Sequence, residues 1–293
     1  MRSAIYLAAF AILAPVAVSA RAPVRQSAPV PALADGAPWQ AEIFSGYIYP
    51  EQQREGRPQW DMAHRCGGSY IAPNWVLTAA HCFYLPNSNK LSPWRKNQWR
   101  IRLGARDLPS GEGITFAVDR VIIHPDFVRA TFANDLALVH FIADAQSRAD
   151  YARNDAHHVA QIRLNGSAAG DAALGFGEAV SVSGWGKTRD ADDAPTNPQL
   201  EAVTVHTVGC DWDPVYKGKT NGSSLCAFGK GMDACHGDSG GPLIRAAGSP
   251  VLVGVVSWGE GCGEHPGVYV RIDGAHYLDW INRTVAGGSA KGN

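Results

Sequence analysis

From Pro38 onward the chain is a series of short apolar runs broken by turns: "AEIFSGYIY", "GSYIAPNWVLTAA", "WRIRLG", "ITFAVDRVIIHP", "DLALVHF", "AVSVSGWG", "LEAVTVHTV", "PLIRA", "PVLVGVVSWG" and "GVYVRI". Each has the length of a β-strand and is rich in Val, Ile, Tyr and Trp, the residues that fit a pleated, half-buried surface. No helix-period segment of useful length occurs before "GAHYLDWINRTVAGG". There Tyr277, Leu278, Trp280 and Ile281 fall on one side, and Gly287 and Gly288 supply a stop. About ten strands with one terminal helix predict an all-β protein, built as β-barrels or a sandwich. Two hydrophilic stretches, residues 50–65 and 83–99, interrupt the rhythm and read as long surface loops.

The ends have a different character. Residues 1–20 read as a secretory signal: Arg2 gives a positive start, Ala4 to Val18 is an uncharged apolar run, and Val18-Ser19-Ala20 is a small-residue cleavage pattern. The run is short for a bilayer span, and no later segment is long and apolar enough to span. Residues 21–37 are Pro- and Ala-rich and read as a propeptide or linker. Residues 38–286 form the folded domain, and the tail 287–293 is expected to be disordered.

Composition adds limits. The 293 residues are 45% hydrophobic and 18% charged, with a formal net charge of −1, which gives no reason to expect nucleic acid or an acidic partner. Glycine (32) and proline (18) are plentiful, as turns require. Six cysteines (Cys66, Cys82, Cys210, Cys226, Cys235, Cys262) behind a secretory signal predict three disulfides. No C-x-x-C pair exists to support a zinc site. The count by itself leaves fifteen pairings open.

The stretch "MDACHGDSGGPL" sets Ser239 between Asp238 and two glycines, a turn suited to presenting a hydroxyl. A serine hydroxyl becomes a useful nucleophile only with a base to take its proton and a third group to orient that base. "LTAAHCF" offers His81 after an apolar strand, and "NDLALV" offers Asp135 at the start of another. Taken singly, each residue reads equally well as structural.

The order His81, Asp135, Ser239, within "TAAHC", "NDLAL" and "GDSGGP", resembles the trypsin/chymotrypsin family of serine endopeptidases, as do "CGGSYI", "HPDF", "SGWG", "VSWGEGC" and "PGVYVRI". The similarity runs from Pro38 to the C-terminal helix. It implies two packed antiparallel six-stranded β-barrels with a cleft between them. Ser239 would attack a peptide carbonyl, His81 would carry the proton, and Asp135 would orient His81. The N–H groups of Gly237 and Ser239 would form the oxyanion hole. The resemblance also implies the pairs Cys66–Cys82, Cys210–Cys226 and Cys235–Cys262.

By the same resemblance, Asp233 floors the primary pocket and selects Arg or Lys before the scissile bond. Gly259 and Gly267 keep the pocket walls open, and Ala234, where some relatives carry serine, tilts the preference toward Arg. Ser257, Trp258 and Gly259 would offer backbone to an extended substrate strand. Expected partners are protein or peptide substrates and protein protease inhibitors. No cofactor and no metal are expected, no membrane association after signal removal, and a monomer. Ala105, in "GARDLPSGEG", stands where the family's first calcium carboxylate belongs, so no calcium is expected there; His157-His158 reads as part of a surface loop. The loop after His81 carries Pro93-Trp94, much like the hooded loop of thrombin-type proteases. The 50–65 insertion would lie on the leaving-group side. The family's usual activation start is missing before Pro38. A new amino terminus is expected within Arg21 to Gln26, first at Arg25–Gln26, with Asp238 as the partner of its ammonium. The absent start motif keeps a second reading open, a non-catalytic binding protein on the same fold.

Overall fold

The computed structural model describes residues 37–48, 56–85, 88–92, 98–153, 159–168, 171–191, 194–245 and 248–289. Strands β1 (Gln40–Ser45), β2 (His64–Ala72), β3 (Trp75–Thr78), β4 (Trp99–Leu103), β5 (Ile114–Ile123) and β6 (Ala137–Ile142) close into an antiparallel barrel in the order β1-β2-β3-β6-β5-β4. The ring closes where β1 meets β4, Ala41 facing Leu103 and Ile43 facing Ile101. After the short β7 (Arg163–Leu164) come β8 (Ala179–Gly184), β9 (Glu201–Val208), β10 (Ser224–Phe228), β11 (Pro242–Arg245), β12 (Val251–Trp258) and β13 (Gly267–Arg271). They run β11-β8-β9-β10-β13-β12, and pairing of β11 with β12 closes a second six-stranded antiparallel barrel. Strand β7 lies parallel beside the start of β12.

Period-2 alternation assigns each apolar side chain to one of two environments. In β3, Val76 points into the first barrel, while Trp75 and Leu77 point at the second barrel. In β6, Ala137, Val139 and Phe141 fill the first barrel and Leu138 faces out. In β12, Val251 and Val253 fill the second barrel, and Leu252 and Val255 face the first. These outward residues meet in one inter-barrel cluster, which Tyr277 and Ile281 of the terminal helix complete. Fully burying one such side chain stabilises the fold by about 1.5–3 kcal/mol, so the seam between the barrels is a core in its own right. Polar bonds also cross it: Ser183 Oγ donates to Gln40 Oε1 at 2.8 Å, and Gly67 N–H donates to the Ser239 carbonyl at 2.8 Å.

Three features depart from the sequence reading. A short helix α1 (Gln59–Ala63) stands inside the stretch expected to be a surface loop. Asp61 and Met62 are buried there, and His64 and Arg65 already belong to β2. A second helix, α2 (Ala145–Arg153), was not expected. Its buried residues are Ser147 and Asp150, so it has no apolar stripe to betray it. The terminal helix α3 (Ala275–Ser289) passes through Gly287 and Gly288 instead of stopping at them, three residues into the expected tail. Trp99, at the end of the other expected loop, is buried at the start of β4. Pro93-Trp94, His157-His158 and residues 1–36 lie outside the described residues.

The disulfides are Cys66–Cys82, Cys210–Cys226 and Cys235–Cys262, as the resemblance implies.

Candidate active site

His81 sits on the 3-10 turn Ala80–Phe83 that follows β3, tied by Cys66–Cys82 to β2. Asp135 lies just before β6, which pairs with β3. This strand pairing brings the two together across 54 residues of sequence. Asp135 Oδ1 accepts the His81 backbone N–H at 2.8 Å, and Oδ2 lies 2.7 Å from His81 Nδ1. Ser257, at the end of β12, donates its hydroxyl to the same Oδ2 at 2.6 Å. The Asp135 side chain is wholly buried and that of His81 is 16% exposed. A carboxylate with this many donors is fixed, and it fixes the ring: Nδ1 carries the hydrogen, leaving Nε2 as the base. Phe132 holds the other side of the ring edge-on, with centroids 5.4 Å apart.

Ser239 precedes β11 on the second barrel. It lines, with His81, a cavity of ≈ 260 Å³ in the cleft. Its loop is pressed onto the first barrel at Gly240, which has φ +78°; a Cβ there would stand 2.1 Å from Thr78 Oγ1 and 2.7 Å from the Gly67 carbonyl. Glycine is the residue that permits this approach. Among the described residues no protein hydrogen bond uses the backbone N–H of Gly237 or of Ser239, whereas Asp238 N–H donates to Cys235 O and Gly240 N–H to Val256 O. Most backbone donors in a fold are paired. Two unpaired donors either side of Asp238 can receive an anionic oxygen. His64 Nε2, 2.9 Å from the Gly237 carbonyl, holds the peptide in this orientation.

Asp233 stands on the other wall of the ≈ 260 Å³ cavity, with Ala234, Ser257, Trp258, Gly259 and Gly267. Its Oδ1 accepts the Ala234 N–H at 2.7 Å and the Tyr269 hydroxyl at 3.4 Å. Burial pushes the Asp233 carboxyl up to about 8, against the backbone donors of Ala234 and Gly263. A Cβ on Gly267 would lie 2.5 Å from Asp233 Oδ1, so glycine is needed there to admit the carboxyl. The Cys235–Cys262 bridge ties the segment bearing Asp233 to the opposite wall. Trp258 packs edge-on against Tyr216 at 5.2 Å, which anchors the end of β12.

Asp238 points away from the cleft. Its oxygens accept the N–H groups of Gly186 at 2.8 Å and Cys235 at 2.9 Å. Burial raises its pKa above the ordinary value, the Gly186 and Cys235 donors and the nearby His64 opposing the rise.

The trypsin family model matches residues 33–281. The chain belongs to the trypsin family of serine proteases. It is 32% identical to a trypsin of Squalus acanthias over 257 residues, covering 85% of this chain and 91% of that one. It is 35% identical over 254 residues to the human transmembrane protease serine 5, covering 84% of this chain and 49% of that protein, so it spans about half the length of that relative. Trypsin-family proteases are hydrolases that act on proteins or peptides. No helix among the described residues is long and apolar enough to cross a membrane.

Within this trypsin-family site, sequence reasoning missed several contributors. Ser257 was read only as substrate backbone, yet its hydroxyl binds Asp135. Tyr269 was read only as a strand residue, yet it reaches Asp233. His64 and Glu42 were not singled out at all. The buried His64 Nδ1 lies 3.2 Å from Glu42 Oε1, whose carboxylate also meets Arg102 Nε at 3.3 Å. The available signal was an acidic residue within the apolar run "AEIF". In the loop beside Ala105, Glu112 is turned onto the backbone N–H groups of Arg106 and Asp107.

Proposed function

We propose that the protein is a secreted endopeptidase that hydrolyses peptide bonds after Arg, and less readily Lys, through an acyl-enzyme on Ser239. The observation that carries this reading is the shared cavity: Ser239 and His81 line the same ≈ 260 Å³ space as the half-buried Asp233. A carboxyl pushed up to about 8 by burial is stabilised in its ionised form by an incoming guanidinium. Ser239 Oγ attacks the carbonyl carbon as His81 Nε2 takes its proton. Asp135 and Ser257 hold the resulting imidazolium, and Gly237 and Ser239 N–H receive the oxyanion, each donor worth about 3 kcal/mol. His81 then protonates the leaving amine, and water repeats the sequence on the acyl-enzyme. Ala234 adds no hydroxyl to help a shorter ammonium, which favours Arg.

The test is hydrolysis of a fluorogenic Arg-amide together with labelling by a fluorophosphonate. The expected result is both activities in the parent. Ser239→Ala loses labelling and about a million-fold in turnover, and Asp135→Asn about ten-thousand-fold. Labelling without preference for Arg over neutral residues would remove the specificity assignment.

Secretion through residues 1–20 and activation within Arg21 to Gln26 belong to the same proposal. What supports activation is a cavity of ≈ 40 Å³ lined by Gly184, Gly186 and Asp238, where a buried carboxylate is served by backbone N–H groups alone among the described residues. A buried unpaired charge costs several kcal/mol, which an ammonium offsets. Arg21→Gln with Arg25→Gln is expected to give an inactive secreted protein; full activity with the segment intact by mass spectrometry would refute the activation step.

A further inference from the structure

The first barrel supplies one stretch of the wall of the ≈ 260 Å³ cavity: Arg129 and Phe132, from the loop between β5 and β6, line it beside His81. The loop is braced from within. Val128 N–H donates to the Ala133 carbonyl at 2.9 Å, and Asn134 Nδ2 donates to the Asp126 carbonyl at 2.9 Å. Phe132 sits at φ +52°, a backbone conformation that bulky residues rarely adopt. Its ring lies edge-on to that of His81, with centroids 5.4 Å apart. Strain of this kind persists only where the surroundings impose it, and it clusters at functional sites.

The Arg129 guanidinium stands over the Phe132 ring, 5.0 Å from its centroid, and over the Tyr84 ring at 5.9 Å. Its Nε is buried without an acceptor, and among the described residues the side chain makes no hydrogen bond or ion pair. Stacking on aromatic faces holds a guanidinium in place but leaves its in-plane donors unsatisfied. The acids closest to it in sequence are engaged elsewhere. Asp126 is exposed and its charge acts on His124. Asp135 is committed to His81 and Ser257. A planar guanidinium fixed on two rings and lacking an acceptor is preorganised for a carboxylate, which takes charge-assisted N–H bonds from it. With Nε enclosed by the protein, the Nη groups are the donors left for an incoming acid.

Asp233, Ala234 and Gly267 reach the cavity from the second barrel, whereas His81, Phe132 and Arg129 reach it from the first. A peptide whose Arg side chain enters the Asp233 pocket runs its preceding residues along Ser257–Gly259. Neighbouring side chains of an extended strand point to opposite faces. The side chain just before that Arg therefore turns from the second barrel toward the first, onto the wall of His81, Phe132 and Arg129. We infer that Arg129 is a specificity-determining residue that selects an acidic side chain, Glu ahead of Asp, on the residue immediately before the Arg. Glu ranks first because the guanidinium lies on the far side of Phe132 from His81, where the longer side chain reaches. The inference rests on the endopeptidase reading for the direction of the peptide.

The experiment compares fluorogenic Arg-amides that carry Glu, Gln or Lys just before the Arg and are otherwise identical. The expected order of kcat/KM is Glu over Gln over Lys, with about fivefold between Glu and Gln that shrinks as salt rises. The readout in each variant is the ratio between peptides, which a merely structural role of Arg129 leaves unmoved. Arg129→Gln flattens the ratio, Arg129→Glu inverts it, and Arg129→Lys keeps part of it. Equal rates for the three peptides in the parent, or a Glu-to-Gln ratio unchanged in Arg129→Gln, would overturn the assignment while leaving Arg-amide hydrolysis intact. A preference that appears only when the Glu stands one residue further from the scissile bond also overturns it. Should none of the amides be hydrolysed, the endopeptidase reading fails. The Glu and Lys peptides are then compared by calorimetric titration of the intact protein, where tighter binding of the Glu peptide that is lost in Arg129→Gln supports the assignment and equal binding refutes it.

Discussion

Replacing Asp233 by Asn tests how the pocket it lines is charged. The Asp233 carboxyl is pushed from the ordinary 3.8 up to about 8 by burial. Its folded pKa lies above its unfolded value, so its contribution to stability is full below about pH 4 and is lost as pH rises toward 8. Each tenfold change in proton affinity is worth about 1.4 kcal/mol, which sets a ceiling of about 6 kcal/mol. Asp233 is only half-buried and meets solvent through the open pocket, and screening reduces the figure to about 2 kcal/mol. Asp233→Asn removes the ionisation and keeps the shape. The variant is expected to match the parent in thermal unfolding near pH 4 and to exceed it by about 2 kcal/mol at pH 8. Binding of a small amidine runs the opposite way, because the cation takes the ionised carboxylate. Its affinity for the parent rises by about tenfold or more from pH 6 to pH 8 and then levels; in Asp233→Asn it is weak and flat. An Asn variant less stable than the parent at pH 8, or a parent whose amidine affinity does not change between pH 6 and 8, would refute a carboxyl held protonated by burial.

Two further predictions follow from the same geometry. Glu42→Gln weakens the grip of His64 on the Gly237 carbonyl, so kcat for an Arg-amide, corrected by active-site titration, falls on the order of tenfold while KM stays near the parent value; an unchanged kcat would leave the Glu42–His64 pair a purely structural one. Replacing Cys235 and Cys262 together by Ala frees the wall facing Asp233 and lowers stability by about 3 kcal/mol in denaturant unfolding, with a larger rise in KM than fall in kcat.

The strands were legible because their signal is local. Runs of Val, Ile and Trp alternate with polar residues, and β3, β6 and β12 put that alternation to use on two sides at once. The exceptions lack a local apolar signal. Helix α2 buries Ser147 and Asp150, the latter accepting Thr115 N–H at 2.8 Å and Gln146 Nε2 at 2.7 Å. Its one readable mark was the reciprocal cap between Asp144 and Ser147, in which each backbone N–H reaches the other's side chain. Helix α1 is five residues long, too short for any period to show. The site divides the same way. His81, Asp135 and Ser239 stand out through their surrounding motifs, whereas the partners of Ser257 and His64 lie 122 and 173 residues away and become visible only in three dimensions. The disulfide pairing was open from cysteine count and was fixed only by the family resemblance.

Asp233 and Asp238 belong to one short segment, on either side of Cys235, and each carboxyl raises the pKa of its neighbourhood. Burial is the main cause at both, and the charge of Asp238 adds to the rise at Asp233. The segment therefore carries two carboxylates that disfavour each other; among the described residues no side-chain cation forms an ion pair with either, though the nearby His64 eases Asp238. On the function proposed above, one is neutralised by the substrate's guanidinium and the other by the chain's own new ammonium. The two cations then help one another: ionising Asp238 is easier once Asp233 has its partner, and the reverse. By linkage the coupling is reciprocal, so an amidine in the Asp233 pocket favours the activated form by the same factor that activation favours the amidine. On that proposal, substrate preference and activation draw on a single electrostatic imbalance. The Cys235–Cys262 bridge lies between the two carboxyls in sequence and ties their segment to the wall that faces Asp233.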